Sequence, residues 1–162
     1  MDKRIFDLDL DRCTGCYACV VACMDQNDIT PASADFMWRD VASLSSRGKI
    51  QYASISCMHC DDAPCLIACP TGAIFRNDGT DMVESDKHKC IGCHSCVMSC
   101  PFGAPKFDPD GKMEKCSGCS IRVEYGLTPA CVRICPTKAL KYDTVENIEK
   151  SKRLRTLRRA VQ

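Results

Sequence analysis

Short apolar runs bounded by turn residues punctuate the chain, and they predict strands. RIFDLDL (4–10) and KIQYASIS (49–56) come early, and AIFR (73–76) faces DMVES (81–85) across the turn NDGT. Further on, APKF (104–107) meets KMEK (112–115) across DPDG, and ALKYD (139–143) follows. No strand is expected after residue 23 until residue 49. Near the C-terminus Leu154, Leu157 and Val161 recur at helical spacing, which predicts a short amphipathic helix. No run of about 18 apolar residues exists, so no membrane-crossing helix is expected. The pattern is that of an α+β chain of small units.

Cysteine changes this picture most. Sixteen of the 162 residues are cysteine. They form four groups: Cys13, Cys16, Cys19, Cys23; Cys57, Cys60, Cys65, Cys69; Cys90, Cys93, Cys96, Cys100; and Cys116, Cys119, Cys131, Cys135. None is left over. The first and third groups follow C-x2-C-x2-C-x3-C, and three groups end in Cys-Pro, at Pro70, Pro101 and Pro136. Structural zinc uses separated Cys-x2-Cys hooks that close one tetrahedron. Three thiolates in a tight loop and a fourth before proline is instead the bacterial ferredoxin spacing, in which the fourth cysteine serves the neighbouring cluster. Soft thiolates suit iron. The expectation is four [4Fe–4S] clusters bound through all sixteen cysteines. Every iron is then capped by protein, so the chemistry is electron transfer and not catalysis.

The exchanged fourth ligands require the groups to pair, and two pairings are open. A tandem arrangement joins first with second and third with fourth. A nested one joins first with fourth and second with third, which the hairpin between the second and third groups favours, as does the complementary placing of strands before the first and after the fourth. The nested reading gives an outer ferredoxin-like unit from 1–23 and 106–144, an inner one from 50–105, a connecting insertion at 24–49, and a tail at 145–162. Net charge is +1 overall, so nothing points to nucleic acid. The tail departs from that balance. Six basic residues (Lys150, Lys152, Arg153, Arg155, Arg158, Arg159) against two acidic ones make it +4 and leave the rest at −3. Docking of this tail on an acidic surface of a partner subunit is expected. The N-terminus shows no signal peptide, which points to a cytoplasmic chain or to export on a partner's signal.

CMHCDDAPCLIACPTGAI (57–74), CIGCHSCVMSCPFGAP (90–105) and KCSGCSIRVEYGLTPACVRICPTKAL (115–140) resemble the four-cluster iron–sulfur subunits of molybdenum and tungsten pterin oxidoreductases, the dimethyl sulfoxide reductase type. WRDV (38–41) adds to the resemblance, which covers about residues 5 to 142. Among shorter members the chain is similar to the small subunit of tungsten aldehyde oxidoreductases. The resemblance implies nested ligand sets: Cys13, Cys16, Cys19 with Cys135; Cys116, Cys119, Cys131 with Cys23; Cys57, Cys60, Cys65 with Cys100; Cys90, Cys93, Cys96 with Cys69. It implies a row of clusters in that order, the first facing a pterin-bearing catalytic subunit. It also implies a flavin or other redox subunit as a second partner, and a setting in anaerobic metabolism. A freestanding polyferredoxin is the alternative, against which the 24–56 segment and SIRVEYGLTPA (120–130) count as docking surface.

Other residues read as support. Gly15, Gly92 and Gly118 lie inside Cys-x-x-Cys hooks, where the backbone approaches the cluster and positive φ is expected. The prolines after the last ligands redirect the chain. His59 and His94, beside ligands, read as partly exposed loop residues, although a ring N–H could bond a sulfide. His88 is blander, and Trp38 reads as a core or interface anchor.

Overall fold

In a computed structural model, residues 3–30, 37–46 and 48–161 are described. Eight short strands form four separate two-stranded antiparallel sheets, with six helices between them. Three of the sheets lie between successive cysteine groups, and the fourth is made of the strands that precede the first group and follow the last. β4 (Ile74–Arg76) and β5 (Val83–Ser85) form the hairpin that joins the second group to the third. β6 (Lys106–Phe107) and β7 (Met113–Glu114) join the third to the fourth. β1 (Arg4–Leu8) pairs with β8 (Leu140–Thr144), placing Arg4 opposite Thr144 and Leu8 opposite Leu140. That pairing carries the start of the chain to its far end.

One element corrects the sequence reading. β2 (Arg39–Ser46) follows the first cysteine group, where no strand was expected, and pairs along its full length with β3 (Lys49–Ser56). The turn includes Gly48 at φ +75°. RDVASLSS gave no apolar run because Ser43 and Ser45 follow Arg39 and Val41 on the inner face and Leu44 on the other face is open to solvent; of its described side chains only Arg39 and Val41 are buried. The expected insertion at 24–49 therefore supplies half a hairpin; its residues 31–36 and 47 lie outside the described ones.

The helices are mostly single turns that start at a ligand. α1 (Ala18–Gln26) packs on α5 (Ala130–Ile134), and α2 (Pro64–Ile67) on α3 (Ser95–Ser99). α4 (Ser120–Glu124) begins next to Cys119. Two cores result. One holds Cys19, Val20, Val41, Cys131, Cys135, Ala139 and Leu140, with Phe6, Leu8 and Tyr52 packed against it. The other holds Ala63, Cys65, Ala73, Ile74, Val83, Cys90, Cys96 and Met113. Among the described residues, nine of the 24 buried apolar ones are cysteines, so more than a third of the buried apolar residues carry the metal donors.

The tail forms α6 (Val145–Val161). Ile148 is 1% exposed and anchors it. Arg155 bonds Asp7 at 2.9 Å and Asp9 at 3.1 Å, and Lys152 reaches Asp7 at 3.4 Å. Asp7 and Asp9 alternate on β1 and its extension with Phe6 and Leu8, so one face of the strand meets α6 and the other the core. The acidic surface that the tail meets is thus on this chain, where a partner's was expected. Leu154 and Leu157 are exposed; the side chains of residues 158–162, Val161 among them, lie outside the described ones.

Candidate metal centres

The hooks are built by left-handed backbone. Gly15 and Gly92 both sit at φ +69°, and Gly118 at +70°. The residue after the second cysteine is left-handed too in the first and third groups, Tyr17 at +59° and His94 at +60°. These turns point successive thiols to one side, and α1 and α3 begin there. Backbone N–H groups then aim at sulfur: Gly92 to Cys90 Sγ at 3.4 Å, Met113 to the same sulfur at 3.3 Å, and Gly118 to Cys116 Sγ at 3.4 Å. In the second group His59 takes the glycine's place, at φ +47°.

Three hollows open among the thiols. One is lined by Cys13, Cys16, Cys19 and Cys135, with Tyr17, Ser54 and Leu140. A second is lined by Cys23, Cys116, Cys119 and Cys131, with Arg39 and Pro129. A third is lined by Cys69, Cys90, Cys93 and Cys96, with His94 and Phe107. Of the remaining donors, Cys57, Cys60, Cys65 and Cys100, Cys65 feels the charge of Cys100, and Cys100 packs against the cluster that holds Cys57 and Ala104. Among the described residues, no three donors converge on a single ion's position. All sixteen thiols are free of disulfides. Four soft donors spread around a hollow fit a cubane's four corners, and the N–H groups aimed at sulfur fit its negative charge.

The first and third hollows share more than spacing. Each has a fourth cysteine followed by Pro-Thr, with Cys135 Sγ 3.7 Å from Thr137 Oγ1 and Cys69 Sγ 3.7 Å from Thr71 Oγ1. Burial alone would raise these two thiols, but the N–H groups of Leu140 and Ile74 and the threonine hydroxyls outweigh it and hold both below the ordinary thiol value. The middle thiols go the other way. Burial, with Cys116 next, pushes Cys23 up to about 12, and burial pushes Cys131 and Cys96 up to about 11. Coordination reverses this, since a ligating thiol is deprotonated outright.

Several residues occupy places the sequence did not disclose. His59 is a partly exposed loop residue as expected, but its ring is held: it stacks on Phe6, Nδ1 accepts from the Val83 N–H at 3.1 Å, and Nε2 is buried with no partner among the described residues. Burial and then Lys115 pull its pKa down to about 3, so it stays neutral. His94 stacks on Phe107 at 3.8 Å beside Cys93, and His88 lies in an exposed single turn. Trp38 packs against Cys57, Cys100 and Cys116, and its Nε1 donates to Glu114 at 3.3 Å, which makes it a core anchor. Sequence reasoning passed over two buried cations, Arg39 and Lys115. Lys115 is 2% exposed, and its Nζ donates to the carbonyls of Val83 and Cys116. The only signal for Arg39 was its place in WRDV.

Two 4Fe-4S dicluster domain models match the chain, over residues 48–145 and 12–73. The B subunit of the anaerobic dimethyl sulfoxide reductase of Escherichia coli is 40% identical over 158 residues, covering 90% of this chain and 75% of that one. The chain belongs to the 4Fe-4S dicluster family of iron–sulfur electron-transfer subunits. The thiosulfate reductase electron transfer subunit of Salmonella typhi is 40% identical, over 87% of this chain and 76% of that one. The iron–sulfur subunit of the nitrate-inducible formate dehydrogenase of E. coli is 34% identical over 85% of this chain, which spans 53% of it. All three are subunits of oxidoreductases. This family member holds four [4Fe–4S] clusters on its sixteen cysteines and moves electrons; it is a non-catalytic subunit.

Proposed function

We propose that the four clusters are held by nested ligand sets and form one relay. The first is bound by Cys13, Cys16, Cys19 and Cys135, the second by Cys116, Cys119, Cys131 and Cys23. The third is bound by Cys57, Cys60, Cys65 and Cys100, the fourth by Cys90, Cys93, Cys96 and Cys69. The observation that carries this reading is the composition of the hollows: Cys135 with the first hook, Cys23 with the fourth, Cys69 with the third. The β1–β8 pairing and the packing of α1 on α5 and of α2 on α3 support it. The chain's own residues hold and wrap each cluster, exclude water with the half-buried hairpin β2–β3, and place N–H donors on the sulfurs.

The relay runs between a catalytic subunit that carries molybdenum or tungsten on a pterin and a second redox partner, a flavin subunit among the candidates. The names of the relatives support the first of these partners. Among the described residues no helix is long and apolar enough to cross a membrane. The chain works in the cytoplasm or is carried out with a partner that bears the signal.

Replacing Cys23 by Ser tests the nesting. The full chain should bind about sixteen irons, four per cluster. The variant should lose or alter the cluster on Cys116, Cys119 and Cys131, and keep the one on Cys13, Cys16 and Cys19. An anomalous iron map that shows damage at the variant's own hook would refute nesting, and zinc in place of iron would refute the clusters.

A further inference from the structure

One wall of the hollow formed by Cys23, Cys116, Cys119 and Cys131 is Arg39. Arg39 is 3% exposed, and the negative groups it feels are Cys131, Cys116, Cys19 and Cys23, which belong to two different hollows. Its Nη1 donates to Ser54 Oγ at 2.8 Å and its Nη2 to Ser56 Oγ at 2.6 Å. Ser54 Oγ in turn lies 3.2 Å from Cys19 Sγ. The direction of this chain of bonds is fixed by chemistry. A guanidinium only donates, so Ser54 accepts from it and keeps its own proton for the sulfur, and a ligating thiolate only accepts. Of the guanidinium's three other N–H groups, the one on Nε is buried without a partner among the described residues. A buried donor left in that state is costly. The cluster's sulfurs are the acceptors that the hollow would bring to it.

Desolvating an arginine is costly unless opposite charge compensates it. Here the compensating charge is supplied by two sets of thiolates. We propose that Arg39 is a positioning residue shared by the first two clusters of the relay, acting through Ser54 on the first and directly on the second, and that it raises the reduction potential of both. The inference rests on the nested ligand sets above. Adding an electron makes a cluster more negative, and a fixed cation in a low-dielectric interior stabilises that reduced form. Hydrogen bonds to sulfur and net charge are two of the levers by which protein sets these potentials. The fourth cluster lies beyond both of Arg39's hollows, and the third is reached only through Ser56, which precedes Cys57, so the effect on these two is smaller.

The test is a redox titration of the full chain with its clusters bound, followed by electron paramagnetic resonance. Arg39→Met keeps the bulk and removes the charge. It should lower two of the four potentials, each by a tenfold change in the one-electron reduction equilibrium, about 59 mV, and move the other two by clearly less. Arg39→Lys, which keeps the charge but loses the fork, should recover part of the shift. A residue that merely pins the hairpin would change stability and leave potentials alone. Four intact signals with unmoved potentials, or four that move together, overturn the proposal. If Arg39→Met does not hold its iron, Ser54→Ala decides: a fall in one potential supports the proposal, and no change rejects it. No cysteine is altered in these variants, so unmoved potentials leave the nesting intact, whereas the Cys23→Ser map judges the nesting alone.

Discussion

Among individual residues, the left-handed glycines are the most exacting positions. Gly92 shows why. A Cβ there would stand 2.7 Å from the carbonyl oxygen of Gly111, which is backbone and has little room to yield. The φ of +69° adds roughly 1–2 kcal/mol for any L side chain. Gly92→Ala should therefore loosen the hook at Cys90, Cys93 and Cys96. Iron analysis should show the loss of up to one cluster in four, with the others retained; full iron would mean that the loop gives way. His59 carries the same conformation without glycine, and its bond to Val83 and its stacking on Phe6 offset that cost. The sixteen ligands and the three hook glycines were legible in the sequence because spacing is a local property. Arg39, Ser54 and Lys115 were not, since nothing nearby in the chain shows that they face sulfur.

In the secondary structure, the strands were legible wherever a turn such as NDGT or DPDG separated two apolar runs. β2 escaped because its inner face reads Arg39, Val41, Ser43, Ser45, which leaves no apolar period to see. The C-terminal helix was legible from leucine spacing, but its seat was not. Ile148 and the Asp7–Arg155 pair fix it to β1 of the same chain. Ile148→Ala should cost about 2–5 kcal/mol of local packing and leave all four clusters bound. Limited proteolysis should then cut within residues 145–161 faster than in the parent chain. Raised salt by itself should not release the helix, because partly buried ion pairs are screened much less than exposed ones. Equal digestion of the two chains would mean that Ile148 is not what holds the helix.

For the molecule as a whole, the order of the chain left two pairings open, and no local pattern could choose between them. β1 and β8 are at opposite ends of the sequence, so their meeting is a tertiary fact. The same holds for the cores. With nine cysteines among the 24 buried apolar residues of the described chain, more than a third of what the four small sheets and single-turn helices enclose is sulfur-bearing. Such small domains rely on metal for their order. Removal of iron by a chelator should therefore unfold the chain cooperatively, seen as loss of far-ultraviolet circular dichroism in step with loss of cluster absorbance. Retention of the spectrum without iron would show that the protein core suffices.

Cys16 and Cys93, each in the middle of a hook, are the two fully exposed ligands; the other fourteen are at least partly covered. An opening through which an electron can leave for a partner is also open to dioxygen. Air would then attack this protein at two places first, the hooks of the first and third groups, and reach the covered pair of clusters late. A docked partner would close those same openings, so that assembly would protect the chain from oxidation as well as connect it.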